Sequence, residues 1–312
     1  RELEQVSDLA ERMARVLAHD YSGMSQPERY AFIQQTLVYL PFAPSVLRPY
    51  SADLFPVYRA RKNLDEKVED TRLWRTFSYP SPYFCAGNGR ANLLRRPVFY
   101  ASDHPVTALA ETHPADGDLI YLSEWMIRCH RSPVTCSVFP LDISPANPWR
   151  SIAANKNKAF EECITATFGS DLQHRLRQVS KFISDRFVED GDPYTITSCL
   201  SYNWLCRHNV VDYIVYPSFQ TMSETCNIAF APNFADEFMR LDRVFRLRMH
   251  RANERAATFE ITHVGENWGN MIAWRKPRRD EAFEWIGARG DIFPDIPLPN
   301  DVERDQGAPF ED

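Results

Sequence analysis

The sequence predicts an α+β protein, a mixed, split β-sheet core carrying added helices. Three observations predict it. Short apolar runs bounded by Pro, Asn, Asp and Ser recur from residue 55 onward, as strands do. Stretches with 3.6-residue apolar periodicity precede and interrupt them, as helices do. Between residues 97 and 111 an apolar run passes through a tight turn straight into a helical pattern. At 312 residues the chain is long enough to bury a sizeable core. It is expected to divide into an N-terminal helical extension (1–50), a central domain (51–240) with a helical insert at about 150–190, and a C-terminal extension (241–312).

Leu3, Val6, Leu9, Met13, Val16 and Leu17 follow a helical period. Ser25 with Glu28 three residues on has capping-box spacing for a second helix reaching Leu40, stopped by Pro41 and Pro44. Phe55-Pro56-Val57-Tyr58-Arg59-Ala60-Arg61 reads as an edge strand, because Pro56 offers no ladder donor. Its alternation sends Val57, Arg59 and Arg61 to one face and Tyr58 and Ala60 to the other. Paired guanidinium groups suit a pyrophosphate, although strand arginines are also ordinarily solvated. Residues 63–84 read as a long loop with a helical turn near 68–74; such loops often cover a site.

Gly87 and Gly89 flank Asn88 in a loop that can take positive φ. Pro97-Val98-Phe99-Tyr100-Ala101 is a strand, Ser102 and Asp103 offer N-cap oxygens, and Pro105 suits a first turn. Val106, Leu109 and Ala110 form the buried stripe of the helix that follows, with Glu111 beside it, so Tyr100 and Glu111 are expected to face one sheet edge. Further strands are expected at 119–122, 134–139, 212–218 and 227–231, helices at 154–168, 172–187 and 196–207, and a late hairpin from 244–250 and 258–262. Beyond Arg275 the chain is charged and Pro-rich, and 301–312 reads as an acidic tail.

Composition excludes several functions. A net charge of −6 offers no basic field to a nucleic acid. No apolar run reaches the roughly 18–20 residues that span a bilayer. The seven cysteines are odd in number and lack CxxC spacing, which suits reduced thiols rather than disulfides. Cys199, Cys206 and His208 come nearest to a zinc set and fit no standard spacing, so no metal is expected. With no signal-peptide pattern in Arg1-Glu2-Leu3-Glu4-Gln5, a cytoplasmic location follows as an expectation. Gly87-Asn88-Gly89-Arg90 lacks the spacing of a phosphate-binding glycine loop, and Ser218 lies in no G-x-S-x-G elbow.

Several segments together are identified with a known pattern. Tyr58-Arg59, Gly89-Arg90-Ala91-Asn92, Val98-Phe99-Tyr100, Ala108-Leu109-Ala110-Glu111, and Pro217-Ser218 followed by Glu224 and Asn227 through Pro232 resemble, in order, the motifs of the RES domain family, whose members degrade NAD. The resemblance covers roughly residues 55–238. Where that family has Pro-Pro-Gly after the Asn, this chain has Leu93-Leu94-Arg95. The resemblance implies a fold similar to that of ADP-ribosyltransferases, and cleavage of the nicotinamide–ribose bond of NAD by a toxin or defence effector. It also implies a neutralising antitoxin or immunity protein. Arg59, Tyr100, Glu111 and Ser218 are the implied catalytic set; Arg61, Arg90, Asn92 and Asn227 are the expected substrate-binding residues. NAD is then the substrate, with no resident cofactor. Phosphate, water or a protein side chain remain open as acceptor, so phosphate is a candidate co-substrate. An ADP-ribosyltransferase acting on a macromolecule and a catalytically dead binding module are the alternatives. The sequence leaves oligomeric state open, a homo-oligomer included.

Overall fold

The computed structural model describes residues 8–37, 45–46, 56–139, 144–150, 158, 162, 166, 170–189, 191, 193–252 and 257–278. Helices and a large mixed sheet make an α+β protein, as expected. The chain forms two compact units: Arg1–Asp53, Tyr79–Tyr100 and Cys129–Phe238 make the first, and Leu54–Ser78, Ala101–Arg128 and Met239–Asp312 the second.

In the first unit, α1 (Leu9–Ala18) buries Leu9, Met13 and Val16, the periodic positions, while Leu17 stays exposed. Next, α2 (Gln26–Thr36) starts at Ser25, whose N–H and hydroxyl both donate to Glu28 Oε2 at 2.8 and 2.6 Å. The capping signal therefore held, but the helix stops at Thr36; Leu40, Pro41 and Pro44 lie outside the described residues. The strands are β1 (Ser45–Val46), β5 (Val134–Ser137), β6 (Tyr213–Pro217) and β7 (Cys226–Phe230), in the spatial order β1-β5-β6-β7. β5 and β6 are parallel and the other two pairs antiparallel, which makes the sheet mixed. α4 (Ser170–Glu189) turns Leu176, Val179, Phe182, Ile183 and Phe187 inward at helical spacing. α5 (Thr195–Tyr202) runs into a π turn at Asn203–Arg207. Of the helix expected at 154–168, only residues 158, 162 and 166 are described, all helical. α6 (Pro232–Phe238), which the sequence reading missed, closes this core: Phe234 stacks on Phe230 at 5.9 Å.

Asp212, entering β6, accepts from both ends of the Arg131 guanidinium at 2.7 and 2.6 Å and from the Val134 N–H at 2.7 Å. Removing it takes the acceptor from a part-buried N–H and from a partly exposed guanidinium. Asp212→Ala is therefore expected to lower unfolding free energy by about 2 kcal/mol, read as a fall in the urea midpoint. An unchanged midpoint would show that the clamp contributes nothing.

In the second unit, β2 (Pro56–Lys62) pairs along its length with β4 (Leu119–Ile127), and Tyr58 lies opposite Ser102 of β3 (Phe99–Ser102). β2 is thus interior, not an edge; Pro56 is tolerated because it is the first residue of the strand. β8 (Met239–Ala252), β9 (Ala257–Trp268) and β10 (Met271–Arg275) follow β4 in an antiparallel run. The late hairpin is much longer than its two apolar cores suggested: its pairing runs on through charged flanking positions, with Arg243 opposite Glu266 and Arg248 opposite Glu260. α3 (Pro105–Ala110) packs Ala108 and Leu109 into a core with Tyr58, Ile120, Leu122, Phe245 and Leu247. Its buried positions are Pro105 and Thr107 to Leu109; Val106 and Ala110 of the expected stripe are only half-buried. His104, rather than Ser102 or Asp103, is the N-cap, its Nδ1 accepting from the Val106 N–H at 3.2 Å. Residues 279–312, with the expected tail, lie outside the described residues.

Candidate active site

The expected residues divide between the two units, and each set is built differently. In the first unit Phe99 is buried against Phe230 at 6.0 Å, which fixes the start of β3 and leaves the neighbouring Tyr100 half-buried. The Tyr100 hydroxyl accepts from the Ala91 N–H at 2.7 Å and donates to Asn92 Oδ1 at 3.0 Å. Burial pushes this phenol well above its ordinary pKa, only partly opposed by the Ala91 N–H. It is a neutral donor with both partners already in place. Asn92 in turn donates from Nδ2 to the carbonyls of Gly87 (3.1 Å) and Leu93 (3.0 Å) and to Cys85 Sγ (3.2 Å).

Gly89 completes this cluster, for a different reason from the one expected. Neither Gly87 nor Gly89 has positive φ. A Cβ at Gly89 would overlap Asn92 Oδ1 and come within 2.8 Å of the Tyr100 hydroxyl, so the residue is small because two side chains close over it. Arg90 donates to the Phe187 carbonyl and lies over the Tyr194 ring at 5.1 Å, anchoring the loop on α4.

Ser218 follows β6 and is completely buried. Its N–H donates to the Thr225 carbonyl and its own carbonyl accepts from the Ser223 N–H, both at 2.9 Å, so the residue closes a tight turn. Asn227, also buried, sits on β7 opposite Tyr216.

In the second unit Arg59 lies opposite Ser123 of β4, and Ser123 Oγ donates to its carbonyl at 2.9 Å. Trp125 Nε1 donates to that same hydroxyl at 2.9 Å. Tyr58 and Ala60 pack toward α3, so alternation directs Arg59 to the other face with Val57 and Arg61, as the sequence predicted. The Arg61 guanidinium donates to the Thr76 carbonyl and pairs with Glu69, each at 2.5 Å. Both partners come from the 63–84 loop, so this arginine fastens that loop to the strand. Glu111 caps the C-terminus of α3, its N–H bonded to the Thr107 carbonyl at 3.0 Å, and the residue is exposed. One charged pair escaped the sequence reading. Glu124, buried on β4 opposite Tyr58, binds Arg243 of β8 at 2.7 Å. The expected strand ended too soon at Leu122, although apolar residues resume at Trp125-Met126-Ile127.

A model of the RES domain family matches residues 56–252. The chain belongs to the RES domain family. The matched span runs from β2 into β8 and encloses Arg59, Arg61, Arg90, Asn92, Tyr100, Glu111, Ser218 and Asn227. No curated protein matches the chain. Membership in the RES family is consistent with an NAD-related, toxin-like function. Among the described residues no helix is long and apolar enough to cross a membrane.

Proposed function

We propose that this RES domain cleaves the bond between nicotinamide and ribose in NAD, as a toxin or defence effector. Membership in the family carries the reading, and the motif residues give it a chemistry. As the C1′–N1 bond breaks, its electron pair returns to the pyridinium nitrogen and nicotinamide leaves neutral, needing no general acid. The ribose becomes an oxocarbenium-like cation, then takes an oxygen nucleophile that sheds its proton. An acidic side chain beside that ring is worth most when the charge has developed.

We assign that carboxylate to Glu111, acting through the ribose hydroxyls. Arg59 supplies a planar donor fork for the pyrophosphate. Tyr100 has its hydroxyl tied to Ala91 and Asn92, so it offers a ring face to the nicotinamide or ribose rather than a proton. Ser218 holds the nicotinamide amide or places the nucleophile. Arg61, Arg90 and Asn92 support the substrate through the loops they secure, and Asn227 through its place on β7. NAD is the substrate and no resident cofactor is invoked. Because NAD loss is hazardous to the host cell, the reading includes a neutralising protein partner.

The acceptor is decided by incubating purified protein with NAD, with and without phosphate, and quantifying free nicotinamide. Release in both cases means hydrolysis; release that requires phosphate means phosphorolysis. Release that requires an added protein, which becomes ADP-ribosylated, would replace this reading with transfer.

A further inference from the structure

A buried asparagine far from every motif holds the Ser218 turn. Residues 218–225 leave β6 and re-enter β7 through a loop whose Met222 and Ser223 both have positive φ, at 49° and 65°. Two successive non-glycine residues in that region persist only where their surroundings over-determine the backbone. Within the loop the Ser218–Thr225 and Ser223–Ser218 bonds and a 2.6 Å contact between the Thr221 and Thr225 hydroxyls supply part of that restraint.

A restraint from outside the loop comes from Asn147, which is 3% exposed and lies in the short 144–150 turn. Its Nδ2 donates to the Ser223 carbonyl at 2.8 Å, with longer approaches to the Thr225 carbonyl (3.4 Å) and Cys226 Sγ (3.3 Å). Its Oδ1 accepts from the Trp149 N–H at 2.9 Å, which fixes the amide the right way round, with the nitrogen toward the loop. The amide thus grips the second left-handed residue and the start of β7 from outside the loop. Phe219 and Met222 on the same loop are exposed, at 70% and 82%, while Thr221 between them is buried.

We propose that Asn147 is a positioning residue for Ser218: its carboxamide sets the 218–225 turn and so the placement of the serine hydroxyl. The inference rests on the role given to Ser218 above, but the restraint itself is measurable without activity. Amide hydrogen exchange on the full chain compares wild type with Asn147→Ala and Asn147→Asp. Asn147→Asp keeps the Trp149 acceptor and loses the donor. Both variants are expected to exchange at least tenfold faster at Ser218 and Ser223, with α1 and β8 amides unchanged. Unaltered exchange at Ser218 and Ser223 overturns the proposal, whatever the activity.

In parallel, nicotinamide release is measured for Asn147→Ala, Ser218→Ala and the double variant. The expected result is a kcat at least tenfold down in Asn147→Ala with KM within a few-fold, and a double variant no worse than Ser218→Ala. Losses that multiply overturn the link to Ser218. Faster exchange in a chain whose wild type releases no nicotinamide would leave the restraint standing and refute the proposed activity instead.

Discussion

Glu111→Ala should abolish most nicotinamide release while leaving the protein folded. Electrostatic groups aimed at charge that forms in the transition state are worth about 10²–10³ in kcat when removed singly. A carboxylate acting on an oxocarbenium-like ribose falls in that class, and the loss should appear in kcat more than in KM. Stability should barely move. Glu111 is exposed at the C-terminus of α3, and that helix packs Ala108 and Leu109 into the core. Thermal midpoints within about 2 °C of wild type are therefore expected, since exposed substitutions usually stay within about 0.5 kcal/mol. A folded variant with wild-type turnover would remove Glu111 from the mechanism. A variant that unfolds would show that it serves the fold.

Gly89→Ala should cost about 1–3 kcal/mol, the usual range for a methyl forced into filled space. The new Cβ meets the Asn92 carboxamide and the Tyr100 hydroxyl, neither of which is a flexible side-chain end: Asn92 is buried with its nitrogen bonded, and Tyr100 is bonded at its oxygen. Something in the Tyr100–Asn92–Ala91 triangle must break, so activity should fall with stability. Gly87→Ala is the control. Nothing lies within 4 Å of a Cβ there and its φ is ordinary, so it should be neutral. Equal melting temperatures for the two variants would contradict the packing account of the loop.

That pair of glycines also marks what could be read from the sequence and what could not. Gly87 and Gly89 look alike in sequence, both in a loop that can take positive φ, yet neither uses it. The true constraint at Gly89 is the return of Asn92 and Tyr100 over it, which only tertiary closure reveals. Positive φ fell instead on residues such as Arg95 and Tyr194, where no local signal stands.

Elements with strong local chemistry were legible. The Ser25–Glu28 cap, the α1 stripe, β3 and β6 follow from spacing that acts within a few residues. Features set by partners were not. Pro56 argued for an edge, but a first-position proline costs no ladder bond, and β2 became interior. Ser102 and Asp103 are good caps by type, yet His104 takes the capping position. α6 went unseen because Pro232 reads as a breaker, although a proline at a helix start is also permitted.

For the candidate site, the sequence picked out Arg59, Tyr100, Glu111 and Ser218 by order and type, and all lie within the RES span. What it could not supply was how firmly some of these positions are already engaged. Arg61 fastens the 63–84 loop through Glu69 and Thr76, and Arg90 anchors its loop to Phe187 and Tyr194. Asn147 had no motif to announce it, because its partners are more than seventy residues away.

Which bond of NAD is broken decides whether the proposed activity holds. Mass spectrometry of NAD incubated with the purified chain tests this directly. Free nicotinamide together with ADP-ribose or its phosphorylated counterpart is the expected result. Scission at the pyrophosphate into two mononucleotides, or NAD left intact with phosphate present, would contradict it.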